Sequence, residues 1–82
     1  MTLGERVKQR REFFKLSQEQ LAKQAGIAQG LLSRIENGHT PSPGAHVLKG
    51  LALALRCSID WLVGLYDDDP DASYARHAYA PG

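Results

Sequence analysis

The chain has 82 residues, 43% of them hydrophobic and six aromatic, enough for one domain near the lower size limit for folding without disulfides or metals. No apolar run reaches the ~18 residues of a membrane-crossing helix, and no charged-then-apolar leader with a small-residue cleavage site is recognisable. Cys57 is the single cysteine; it has no internal disulfide partner, and a reducing cytoplasm is expected.

The formal net charge of +1 conceals an asymmetry. Residues 1–66 carry nine Lys and Arg against five Asp and Glu, whereas residues 67–82 set Arg76 against four Asp. A basic globular part suits contacts with phosphates, although many surfaces with other roles carry the same balance.

Leu3, Val7 and Phe14 recur at helical spacing and predict a first helix over 2–14. Ser17-Gln-Glu-Gln20 has the form of a capping box and opens a second helix that ends at 24 or 25, burying Leu21, Ala22 and Ala25. Gly26 follows as a left-handed stop. A third helix over 28–36 buries Leu32 and Ile35 behind Ile27, and Gly38 ends it. Residues 39–44, HTPSPG, form a loop, because two prolines and a glycine deny both helix and strand.

A fourth helix over 45–55 turns Val47, Leu48, Leu51, Ala52 and Leu55 inward. Ser58 caps a short fifth helix, IDWLV, with Asp60 where the helix dipole favours negative charge. No strand pattern and no repeat appears. The expected fold is all-α, five compact helices over 1–66. Residues 67–82, an acidic C-terminal tail, have no apolar periodicity and are expected to be extended or disordered.

The segments LSQEQLA, SRIENG and SIDWLVG, in this order and spacing, resemble the helix-turn-helix of the Cro/C1 (XRE) family, over about residues 3–64. The resemblance implies a lambda-repressor-like fold whose third helix enters the major groove of double-stranded DNA. It implies a transcriptional regulator, read as a repressor, that binds a two-fold-symmetric operator as a homodimer. Residue by residue, it assigns Gln18 to a phosphate and to bracing Gln29. Gln29 itself presents the donor and acceptor that grip adenine. Ser33 and Arg34 lie on the same side; Arg34 forks onto guanine or clamps the backbone. Asn37 matches a phosphate contact.

Arg11 and Glu36 match a salt bridge that supports the DNA face, with Ser17 as the cap of the second helix. Two positions depart from the family pattern. Ala28 offers no side-chain cap, and Gly30 stands where a base-reading side chain is common. Gly30 either admits a close backbone approach to DNA or leaves one base pair poorly read. Leu31 either touches a thymine methyl, packs on the second helix, or is merely exposed. Arg56, Trp61, Leu62, Leu65 and Tyr66 are the candidates for a dimer surface, with core packing as the other role of Trp61.

An enzyme is not expected. His39, His46, His77 and Cys57 lack the spacing of a zinc site, Ser17 has no base to activate it, and the glycines punctuate helices instead of forming a phosphate loop. Cofactor, metal, small-molecule ligand and membrane are all absent from the reading. The alternative is a helix-turn-helix scaffold that acts mainly as a protein-interaction module, meeting a protein partner through its acidic tail.

Overall fold

The computed structural model describes residues 1–76, apart from the side chains of Ser73 and Arg76. Six helices follow one another: α1 (Leu3–Phe13), α2 (Gln18–Ala25), α3 (Gln29–Glu36), α4 (Ala45–Leu55), α5 (Ile59–Leu62) and α6 (Pro70–Arg76). No strand occurs among the described residues, and no helix is long and apolar enough to cross a membrane. Five helices lie within a residue or two of their expected bounds.

Caps fix the starts. Thr2 and Ser17 each close a full capping box, with Glu5 and Gln20 reaching back to the cap amides, and the Ser58 hydroxyl accepts from the amide of Trp61 at 3.0 Å. Ala28 opens α3 with no side-chain cap. Gly26 adopts φ 73°, and the Ile27 and Gly26 amides donate to the carbonyls of Ala22 and Lys23. This is a Schellman end, and it sets the turn between α2 and α3. Two further helix ends use the left-handed region without glycine, at Lys15 (φ 57°) and Arg56 (φ 53°). Each strains the backbone by ~1–2 kcal/mol, and neither is visible as a stop signal in the sequence.

One core unites the first five helices: Val7, Leu21, Ala22, Ala25, Leu32, Ile35, Leu51, Ala52, Leu55, Cys57, Trp61 and Leu62 are all buried. Val47 packs on its rim, and Leu48 is half-buried. Burial also pushes the Cys57 thiol up to about 12.

Two sequence expectations are corrected here. Leu62, offered as a dimer candidate, is 0% exposed and has nothing left to present to another chain. Trp61 takes its other expected role, in the core: it is 5% exposed, and its Nε1 donates to the carbonyl of Asp68 in the same chain. Second, residues 67–76 are not an extended tail. Pro70, suited by its fixed φ to a first helical position, opens α6, and Asp67 and Asp71 pair with Arg6 and Arg10 on α1. The sequence lacks apolar periodicity there because charge, not an apolar stripe, docks the segment. Residues 77–82, which complete the expected tail and include His77 and Tyr79, lie outside the described residues.

Candidate nucleic-acid interface

Helix α3 divides cleanly. At roughly 100° per residue, Leu31, Ile35 and Leu32 fall together on the side that packs into the core; Leu32 and Ile35 are 0% and 1% exposed. Leu31 is half-buried against that core, so packing is the role the structure selects from the three open to it. Gln29, Ser33, Gly30 and Arg34, with the C-cap Asn37, fill a continuous arc of about 140°, and Glu36 falls between this arc and the core side. Gln29, Gly30, Arg34 and Asn37 are exposed and Ser33 is half-buried. A Cβ added at Gly30 meets no atom within 4 Å. Within the arc the Asn37 amide nitrogen donates to the Ser33 hydroxyl at 3.4 Å.

Two glycines set the helix in place, one at its C-terminal end and one at the end of α2 that precedes it. At the far end of α3, Gly4 of α1 lies against the backbone: a Cβ there would sit 2.3 Å from the Ile35 carbonyl oxygen. At the end of α2, Gly50 of α4 does the same to the Ala25 carbonyl oxygen, again at 2.3 Å. Only glycine permits such approaches. Gly50 stands inside a helical run between the apolar pairs Val47-Leu48 and Leu51-Ala52, a signal of close packing that the sequence does carry. Gly4 carries none, since it reads as an ordinary first-turn residue.

A charged lock completes the mounting. Arg11 Nε and Nη2 donate to the two carboxylate oxygens of Glu36 at 2.8 and 3.0 Å, and Arg11 Nη1 donates to the Leu16 carbonyl at 2.8 Å. Gln18 Nε2 adds a third donor to Glu36 at 3.2 Å. The Arg11 and Glu36 side chains are 13% and 2% exposed, and the hydrogen bond to Glu36 holds the Arg11 guanidinium above its ordinary value. A bidentate fork of this kind fixes orientation as well as distance. Gln18 thus braces the end of α3 through Glu36; among the described residues no hydrogen bond joins it to Gln29, the partner the resemblance implied, in this DNA-free structure.

The remaining candidates are placed apart from this arc. Arg56 ends α4, while Leu65 and Tyr66 follow α5, 65% and 44% exposed. Among the described residues no group of three His, Cys, Asp or Glu is arranged to hold a metal ion. Sequence reasoning missed Arg6 and Arg10, charged residues buried along another flank of α1; their only sequence signal is the acidic run that follows α5.

Comparison with known proteins fits this geometry. The model of the Helix-turn-helix family matches residues 7–62. Repressor protein C2 of Salmonella phage P22 is 34% identical over 76 residues, covering 92% of this chain but 35% of that protein. The chain therefore spans about a third of the length of this curated relative. The crystal structure of the P22 c2 repressor in complex with a synthetic operator superposes with a TM-score of 0.74 at 34% identity, over 78% of this chain and 96% of that one. SinR, a Bacillus subtilis protein described as the master regulator for biofilm formation, superposes in its DNA complex with a TM-score of 0.72. The identity is 33%, over 74% of this chain and 97% of that one.

Proposed function

Because the chain belongs to the helix-turn-helix family of Cro/C1 (XRE) type, we propose that it is a sequence-specific DNA-binding transcriptional repressor. A two-fold-symmetric operator is bound by a homodimer, with α3 in the major groove. The observation that carries this reading is the division of α3. Its inner side is core, its outer arc carries polar side chains around Gly30, and its C-terminal end is pinned by the Gly4 contact and a buried ion pair, while Gly50 sets the end of α2 that precedes it.

In the groove, the Gln29 amide grips an adenine edge, Arg34 forks onto guanine O6 and N7, and Ser33 reaches a base edge or phosphate. Gly30 lets the backbone come close. Gln18 and Asn37 meet phosphates, which position the helix without reading sequence. A lone recognition helix reads only a few base pairs, so two half-sites about 34–36 Å apart supply useful specificity. Arg56, Leu65 and Tyr66 remain as the dimer candidates exposed at the surface. A protein with this role works in the cytoplasm beside its DNA and performs no catalytic step.

Selection of bound duplexes from a random pool at near-physiological salt tests the reading. The expected result is enrichment of a two-fold-symmetric site. Gln29→Ala should then lose about 1–3 kcal/mol on that site and far less on random DNA. No enrichment by the folded protein refutes DNA reading; a monomer at operator-saturating concentration in sedimentation refutes the dimer alone.

A further inference from the structure

Arg6 and Arg10 stand one turn apart on α1, each 4% exposed. Arg10 Nε donates to the Leu55 carbonyl at 2.9 Å and Nη2 to the Arg56 carbonyl at 3.1 Å. Its guanidinium also lies 4.9 and 4.7 Å from the ring centroids of Phe13 and Phe14. The Arg6 guanidinium lies 4.8 Å from the Trp61 ring centroid, and its Nε is buried with no hydrogen-bond partner. Carbonyls and aromatic faces of the folded domain therefore hold both cations in place.

What meets these arginines has another character. Arg6 Nη2 donates to Asp67 at 2.8 Å and Arg10 Nη2 donates to Asp71, yet the two aspartate side chains are 93% and 66% exposed. Ion pairs with so exposed an acidic half are individually weak and screened by salt. Beside α1 and the start of α6 lies an open cleft of about 410 Å³, lined by Gln9, Arg10, Phe13, Trp61, Pro70 and neighbouring aspartates. The receiving pair is buried and held by the domain; its occupant lies at the periphery and meets it through exposed carboxylates.

We propose that Arg6 and Arg10, flanked by Trp61 and Phe13, form a docking site for a short acidic peptide segment with two carboxylates about one helical turn apart. Residues 67–76 occupy it as the chain's own ligand, and an acidic segment of another protein competes with them. Tethering gives the internal segment an effective concentration on the order of millimolar. An outside segment consequently binds the wild-type chain weakly and binds well once the internal one is loosened. No residue of the site belongs to the α3 arc, so this inference does not depend on DNA binding.

The single tryptophan reports on the site directly, because Trp61 Nε1 donates to the Asp68 carbonyl at 2.9 Å. In NMR spectra of the full chain, the double substitution Asp67→Asn/Asp71→Asn moves the indole N–H resonance. A synthetic peptide of residues 66–76 then returns it towards its wild-type position, binding about tenfold or more tighter than to the wild-type chain. The same peptide with both aspartates replaced by asparagine has no such effect. The substituted side chains are exposed, and circular dichroism verifies that the variant stays folded. A resonance unmoved by the double substitution would show that the carboxylates do not hold the segment. A variant resonance that ~1 mM peptide fails to return would show that the site takes only its tethered occupant. Either result overturns the proposal.

Discussion

The same substitution, glycine to alanine, should have opposite effects at two helical positions. At Gly30 an added Cβ meets nothing within 4 Å, so only the helix propensity changes, and Gly30→Ala should stabilise by about 0.5–1 kcal/mol. At Gly50 the Cβ would lie 2.3 Å from the Ala25 carbonyl oxygen, about 1 Å inside an ordinary C···O contact. That oxygen is backbone at the end of α2, next to the Schellman turn, and cannot rotate aside as a side chain would.

Overpacking of this kind destabilises by about 1–3 kcal/mol, and the rigidity of the neighbour puts Gly50→Ala at the upper end. After the propensity gain, a net loss of about 2 kcal/mol remains. Thermal unfolding followed by circular dichroism reads both variants. With about 4–8 °C per kcal/mol in a domain this size, Gly30→Ala should melt several degrees higher and Gly50→Ala about 8–16 °C lower. A Gly50→Ala protein as stable as wild type would refute the claim that α4 is set against α2 by the missing side chain.

Other outcomes follow from the lock, a cap and the core. Glu36→Ala leaves Arg11 largely buried without its carboxylate and should lose about 3 kcal/mol in urea unfolding; a loss below about 1 kcal/mol would mean the pair acts as an exposed one. The Thr2 amide and hydroxyl hold the Glu5 carboxyl below its ordinary value of 4.5. The contribution of this box is therefore present above about pH 4.5 and is lost as pH falls through the lowered value. The melting difference between wild type and Glu5→Gln should accordingly shrink on acidification from pH 6 to 3, and a constant difference would exclude the linkage. Cys57, with its thiol pushed up to about 12 by burial, should react with thiol reagents at pH 8 only through unfolding. Labelling as fast in native buffer as in urea would contradict that burial.

Most of the first five helices was legible because each is announced by a local device. Ser17, Ser58 and Gly26 mark boundaries through hydroxyl caps and a left-handed glycine, and Leu32 and Ile35 fix the inward side of α3 by spacing. The residues of the outer arc were assigned by the family resemblance. Lys15 and Arg56 were silent, since tertiary packing there imposes a backbone conformation that their side chains disfavour. α6 was silent for a different reason: its partners, Arg6 and Arg10, are about sixty residues away, and long-range ion pairing leaves no period in a sequence. Likewise Gln18 could be placed beside α3 by resemblance, but whether it meets Gln29 or Glu36 depends on side-chain rotamers.

The two glycine contacts and the Arg11–Glu36 lock share no residue with the outer arc of α3. The residues that mount α3 and those of the proposed recognition arc are therefore separate sets. Changes at Gln29, Gly30, Ser33 or Arg34 remove no buried contact, so each lies within about ±0.5 kcal/mol of neutral for stability unless backbone propensity intervenes. On the proposed function, a lineage carrying this domain would drift from one operator to another by single steps at the arc with little change in stability. The same separation suits the arc to randomised libraries in which stability stays nearly constant while the proposed sequence preference varies.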